Sequence, residues 1–245
     1  MRLSVIVITR NEARNLADCL ESVRFADEVV VLDSGSTDDT VEIARRHGAR
    51  VEVAADWPGF GPQKNRALAL AGGDWVLSLD ADERVTPELA AAIGEVLRAP
   101  RHDAYDMPRL SSFCGRFIRH SGWWPDRVLR LFRRGAARFS DDPVHEKVVP
   151  DGSVGRLAPH LLHYTYPDLD SAVAKMNRYS SDSARAMHAR GRRAGIGAAV
   201  GHGAWTFVRL YVFKRGFLDG RHGFLLAATA AAGSFYRYAK LSLMK

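Results

Sequence analysis

The sequence predicts an α/β fold: a mostly parallel, twisted sheet flanked by helices, followed by a basic helical extension. Three observations carry this. Short apolar runs alternate with helical patterns from the first residues onward. Polar side chains capable of chemistry stand directly after the apolar runs. The positive charge is gathered near the C-terminal end. A chain of 245 residues, 47% hydrophobic and 26% charged, suits one large domain or a catalytic domain with an appendage. That balance excludes a disordered chain, a collagen-like repeat and a polytopic membrane protein.

The elements follow in order. Residues 3–8, apolar but for Ser4, form a run that marks a strand buried on both faces. The run is too short for a signal peptide, and no small-residue cleavage site follows it. In residues 11–24, Leu16, Cys19, Leu20 and Val23 fall on one helical face. Residues 28–32 read as a second strand ending at Asp33, before a turn at residues 34–37. Ser36 and Asp39 resemble a capping box ahead of the next helix, and Gly48 is its stop. Residues 51–54 give a third strand, 63–71 a helix closed by Gly72 and Gly73, and 75–79 a fourth strand ending at Asp80. Thr86 and Pro87 supply an N-cap and a first-turn proline for a helix running to about Arg98.

In open parallel sheets, ligands bind beyond the carboxyl ends of the strands. Here those ends offer Thr9 to Glu12, then Asp33 and Ser34, then Asp80, Ala81 and Asp82. No glycine-rich phosphate loop of the G-x-G-x-x-G or Walker type occurs. A bound diphosphate would need another source of positive charge. The D-x-D of Asp80 and Asp82 supplies oxygen ligands for a hard divalent cation that bridges phosphates, and Lys64 and Arg66 add charge nearby.

Residues 171–245 hold 13 lysines and arginines against two acids, Asp182 and Asp219. That is +11 of a net +7, leaving −4 for residues 1–170. The expected division is therefore a catalytic domain over 1–170 and a helical extension over 171–245. Aromatics and cations alternate through residues 209–218, a composition suited to a bilayer interface. The longest uncharged stretches fall short of the roughly 20 residues a spanning helix needs. A peripheral membrane partner is expected; nucleic acid is not, because no nucleic-acid module is recognisable. Two cysteines, Cys19 and Cys114, point to a reducing compartment, and a cytoplasmic protein is expected.

Four segments, residues 6–12, 31–38, 61–67 and 80–83, together resemble family 2 glycosyltransferases of the GT-A fold, in that family's order and spacing. The segments Trp123 to Arg133, Val144-His145-Glu146 and His163 to Tyr166 resemble the branch of lipopolysaccharide core β-1,4-glucosyltransferases. The resemblance implies that Thr9 and Glu12 contact the nucleotide, that Asp33 accepts a hydrogen bond from uracil, and that Lys64 lies near the base or phosphates. It implies that Asp80 meets the ribose or the metal shell, that Asp82 binds Mg2+ or Mn2+, and that His163 completes that shell. It further implies inverting transfer of a hexose, glucose foremost, from a UDP-sugar to a lipid-linked glycan. The acceptor would be the lipopolysaccharide inner core, at the cytoplasmic face of the inner membrane.

Inversion requires a carboxylate to take the acceptor proton. The acids available on the acceptor side are Asp126, Asp141, Asp142 and Glu146, with Glu146 first and Asp142 second. Arg127, Arg130 and Arg133 either hold acceptor phosphates or line a basic surface. The alternatives are a family 2 enzyme of other envelope polysaccharides or protein glycans, a sugar-phosphate nucleotidyltransferase, and a non-catalytic membrane-binding scaffold.

Overall fold

A computed structural model describes residues 2–140 and 146–244. The chain divides into two compact units. One comprises residues 1–109 and 126–163, the other residues 110–125 and 164–245.

The first unit begins as a parallel α/β sheet. Its strands β1 (Leu3–Thr9), β2 (Glu28–Asp33), β3 (Arg50–Val53) and β4 (Trp75–Asp80) run in the order β3-β2-β1-β4, all parallel. Four helices accompany them: α1 (Ala13–Glu21), α2 (Thr40–Arg46), α3 (Phe60–Leu70) and α4 (Pro87–Arg98). Alternate residues of β1 point to opposite faces, and both faces are buried. Leu3, Val5 and Val7 pack with Leu16 and Leu20 of α1, Ala44 of α2, and Leu89 and Ile93 of α4. Ile6 instead joins Val30, Val76 and Phe132 under Ala67 of α3. Apolar side chains are therefore needed on both faces of β1, with Ser4 the polar exception, its hydroxyl bonded to Glu28 and to Gly73 N.

Local signals end the helices as expected at two places. Thr86 Oγ1 accepts from Leu89 N at 3.2 Å, capping α4, with Pro87 in its first turn. Gly48, just past α2, takes φ +75°, where a Cβ would be strained. The expected capping box at Ser36 and Asp39 is corrected: Asp39 makes no side-chain cap bond, and the Ser36 hydroxyl turns back to Asp33. The competing carboxylate is only three residues away and already buried, so it captures the hydroxyl first.

Beyond β4 the sheet changes character. β5 (Glu83–Val85), β6 (Ala104–Phe113), β8 (Asp126–Arg133) and β12 (Leu161–Tyr166) continue it in the order β4-β8-β6-β12-β5. The β4–β8, β8–β6 and β12–β5 pairs are antiparallel. The short strands β7 (Arg116–Phe117) and β11 (Val154–Arg156) pair with β6, while β9 (Ala137–Phe139) and β10 (Val148–Pro150) form a separate ribbon. The β6–β8 ladder slips once. Tyr105 faces Leu131 but Asp106 faces Leu129, so Arg130 is an extra residue on β8. Such a bulge re-aims one side chain while the ladder resumes beyond it.

The second unit holds helices α5 (Leu169–Ala189), α6 (Ile196–Val208) and α7 (Gly220–Ser242). α6 runs on through a π-helical turn at Arg209–Phe213, and a short 3-10 turn at Gly216–Asp219 leads into α7. Asp168 caps α5 by accepting from Ser171 N at 2.7 Å. Lys240 of α7 donates to Asn177 Oδ1 and the hydroxyls of Ser180 and Ser181 on α5. Asp219 is buried and accepts from His120 N at 2.9 Å, with the His120 ring at 3.2 Å. A Cβ on Gly223 would fall 1.9 Å from the Gly216 carbonyl, so only glycine permits the start of α7 to pass there. Among the described residues, no helix is long and apolar enough to cross a membrane.

Candidate active site

Sheet register brings the predicted residues to one edge of the first unit. Thr9 lies opposite Asp33 and Ile8 opposite Asp80, so the three parallel strands end level. His163 of β12 lies opposite Glu83 of β5, directly after the D-x-D.

Asp33 is fully buried. Its Oδ2 accepts from Thr9 Oγ1 (2.9 Å) and Ser36 Oγ (2.5 Å), and its Oδ1 accepts from Gly35 N (3.0 Å) and Ser36 N (2.8 Å). Two oxygens offer about four acceptor positions, and four donors fill them. Contact between Asp33 and a uracil N–H thus needs the Ser36 hydroxyl to move off. Gln63 Nε2 donates to Ser34 Oγ at 3.1 Å, tying α3 to the same turn.

Asp80 sits between two cations. Lys64 Nζ is 2.8 Å from its Oδ1 and Arg130 Nη2 is 2.5 Å from its Oδ2. Burial pushes the Asp80 carboxyl up, but Arg130 and Lys64 outweigh it and hold the group well below the usual carboxylate range. Burial pulls Arg130 down, and Asp80 with Glu83 more than reverses that, leaving it above the ordinary guanidinium value. The ion pairs continue on both sides. Lys64 reaches Glu146 Oε1 at 2.9 Å. Arg130 reaches Glu83 Oε1 at 2.6 Å; Arg109 lies 3.4 Å from the same atom and 2.7 Å from Asp126. Glu146, Lys64, Asp80, Arg130, Glu83, Arg109 and Asp126 therefore form one line of alternating charge. Arg130 enters it because the bulge turns it out of the regular strand alternation.

Asp82 stands apart from that line. Its Oδ2 is 3.3 Å from His163 Nε2, and both side chains remain partly accessible, at 28% and 14%. Across the same edge is Glu12, whose backbone N donates to Thr40 Oγ1 and whose Oε2 accepts from Asn15. Burial pushes the Glu12 carboxyl up, Asn15 opposes this, and Asp82, Asp38 and Asp80 push it further. The three arginines expected to act together are dispersed. Arg127 is held by Asp106 and the Leu157 carbonyl, Arg133 lies over the Trp75 ring at 5.5 Å, and Arg130 belongs to the charge line. Asp142 lies outside the described residues, as do Asp141 and His145.

The family model described as glycosyl transferase family 2 matches residues 4–152, more than half of the chain. The chain belongs to glycosyl transferase family 2. A curated relative in Rickettsia felis, an uncharacterized glycosyltransferase, is 32% identical and aligns with all of this chain and 91% of its own length. The lipopolysaccharide core biosynthesis glycosyltransferase LpsC of Rhizobium meliloti is also 32% identical, over 98% of this chain and 91% of its own. Among solved structures, S. aureus TarS 1-349 in complex with UDP superimposes with a TM-score of 0.53 at 17% identity, covering 99% of this chain and 90% of that one. The shared fold is GT-A, and the chain is a glycosyltransferase.

A divalent cation is typical of enzymes of this fold, and the residues of this family 2 enzyme fit one. Among the described residues, no three His, Cys, Asp or Glu side chains gather into a metal cage. Asp82 and His163 do form an adjacent oxygen and nitrogen donor pair. Magnesium is commonly held by one or two carboxylates, with phosphates and water completing the shell. The acids that raise Glu12 create a local negative field that a cation would relieve. Sequence reasoning missed Glu83 and Arg109. Glu83 directly follows the D-x-D, but its role depends on a three-residue strand that carries no periodic signal. Arg109 is a single cation in an otherwise mixed strand.

Proposed function

We propose that this glycosyltransferase moves a hexose, glucose foremost, from a UDP-sugar to a lipid-linked glycan of the lipopolysaccharide inner-core type, with inversion. Mg2+ or Mn2+ would be the cofactor. The observation that carries the reading is the level ending of three parallel strands at Thr9, Asp33 and Asp80, with Asp82 and His163 paired beside them. LpsC, alike over nearly the full length of both chains, supports the acceptor class. UDP in TarS, a neighbour in fold, supports the donor nucleotide.

In this reading Thr9, Glu12 and Asp33 form the floor beneath the nucleoside, and Asp80 faces the ribose while fixing Lys64 and Arg130. Asp82 and His163 would hold the cation, which would supply positive charge to the departing UDP. Glu146 accepts the acceptor proton. Lys64 joins Glu146 to Asp80, and a diphosphate arriving beside it competes for the ammonium, releasing the Glu146 carboxylate for that task. Arg127, next to Asp126 on β8, is the acceptor-side cation; Arg133 lies opposite Trp75, at the end of β4 away from Asp80, and takes no part. The basic second unit associates with the cytoplasmic membrane surface, where a lipid-linked acceptor is found.

The deciding test is Asp82→Ala. Mn2+-dependent UDP binding, followed by thermal shift, is expected to be lost; unchanged UDP affinity with Mn2+ would remove the metal assignment. Release of UDP, and not pyrophosphate, separates the transferase from a nucleotidyltransferase.

A further inference from the structure

Helix α6 is built inside out. Its buried residues are Ala199 and Gly203, the smallest side chains available. Apart from Phe207, which packs against Phe224 of α7, its large apolar residues are exposed. Ile196 is 62% exposed and Phe213, at the end of the π-helical turn, 64%; Val200, Trp205, Val208 and Val212 lie exposed between them. Residues 196, 200, 204, 208 and 212 form one i, i+4 row, and every one is exposed. At ~1.5 Å per residue the stretch 196–213 is about 27 Å long. Phe217 and Leu218 add two exposed apolar side chains on the next turn. A contiguous apolar surface of this kind is uncommon on a protein surrounded by water.

The charges nearby have a single sign. From residue 190 to residue 244 the only acid is Asp219, which is buried against His120. Arg209, Lys214, Arg215 and Arg221 are exposed and make no ion pair among the described residues. The surface is thus apolar with a cationic border and nothing to neutralise it. A second copy of the chain would bring these cations against their own equivalents. An anionic bilayer supplies both missing partners, acyl chains for the apolar row and headgroups for the cations.

We infer that α6, the π-helical turn and the following 3-10 turn form a wedge that lies in the plane of an anionic bilayer and inserts the exposed apolar residues between Ile196 and Phe213 into the acyl boundary. This deepens the peripheral-membrane part of the proposed function and rests on it: it names the inserted residues and adds insertion to electrostatic attraction. Arg209, where the π-helical turn begins, lies between Trp205 and Phe213 on the adjacent i, i+4 row, so one cation sits within this surface.

The test uses the full chain and vesicles of phosphatidylglycerol with phosphatidylethanolamine, compared with phosphatidylcholine alone. Wild-type protein is expected to sediment with the anionic vesicles, and acyl-brominated lipid should quench its fluorescence. Trp205→Phe, which keeps the apolar bulk, should remove most of that quenching while leaving sedimentation intact. Val212→Glu with Phe213→Glu should weaken partitioning at least tenfold, and Arg209→Gln with Arg215→Gln should weaken it in a salt-dependent way. Both pairs should leave the UDP-induced thermal shift unchanged, which confirms an intact first unit. If wild-type protein sediments but the double glutamate variant sediments equally well, the wedge is refuted and simple adsorption stands. If wild-type protein fails to sediment at all, the peripheral reading fails together with the wedge. A wild-type dimer that the glutamate pair converts to monomer, with vesicle partitioning unaltered, would assign the face to a second copy and overturn the inference.

Discussion

Replacing Arg130 with methionine tests whether the charge line is an internal support. Arg130 is almost fully buried, and Glu83, its 2.6 Å partner, has no exposed side-chain surface. Without the guanidinium, Glu83 keeps, among the described residues, the Asp80 N–H at 3.0 Å and Arg109 at 3.4 Å. Asp80 keeps Lys64 at 2.8 Å and a third of its side-chain surface in water, so it loses less. Removing one member of a buried pair typically costs ~3–5 kcal/mol, because the charge left behind has neither solvent nor partner. In a protein of this size each kcal/mol corresponds to roughly 2–4 °C in Tm. Arg130→Met should therefore lower Tm by roughly 6–20 °C by circular dichroism, with a matching fall in the urea midpoint. Adding Glu83→Gln to the same chain should recover a large part of the loss, since the stranded charge is removed with its partner. A single variant that loses under ~1 kcal/mol would refute the argument. If that variant also showed a raised KM for acceptor alone, Arg130 would belong with the acceptor phosphates.

Three further outcomes follow from the titrating groups. Glu12 is held protonated more readily in the fold than in the unfolded chain, so its ionised form opposes folding above the folded value. Glu12→Gln should accordingly raise Tm at pH 7, with the gain vanishing below about pH 4.3, where both forms of the chain are protonated. Asp80 shifts the other way: its contribution is complete above about pH 3.9 and is lost as pH falls toward its lowered folded value. Asp80→Asn should lower Tm at neutral pH and make the decline of Tm in acid shallower. Cys19 is buried against the Asp80 carbonyl, and burial pushes its thiol up to about 12. Iodoacetamide at pH 8 should spare it in the native protein and modify it in denaturant, as read by peptide mass; native labelling at the denatured rate would contradict the packing of α1.

The parallel half of the sheet was legible because its signals are local and redundant. Residues 3–8 need no partner to declare a two-sided buried strand, and Thr86 with Pro87 marks a helix start without tertiary help. The clustering of Thr9, Asp33 and Asp80 followed from the general placement of ligands at strand ends, and the register brings those ends level. The antiparallel half was not legible. β6 mixes Asp106, Pro108 and Arg109 with apolar residues, and β5 is only three residues long, so their pairing depends on neighbours distant in sequence. The partners of Asp80 were hidden for the same reason, since Arg130 is 50 residues away. The net charge of the second unit was plain in composition. The outward direction of α6's apolar side chains was not, because a hydrophobic helix reads identically whether its large residues face the core or the water.

The bulge on β8 has a consequence for changes of chain length. Leu131, Phe132 and Arg133 are registered against β4, while Asp126 to Leu129 are registered against β6 one step out of phase. Deleting residue 130 would let the two ladders fuse into one continuous rung pattern. Asp126 to Leu129 would keep the β6 partners they already have, so Val128 would stay in the α1 and α4 layer, Leu129 on the opposite face, and Arg127 beside Asp106. A one-residue shortening here therefore removes the cation and the bulge but leaves the faces of the strand as they are. Drawing residue 130 into the regular ladder opposite Asp106 would do the reverse: it would shift residues 126–129 by one place and turn each to the other side of the sheet.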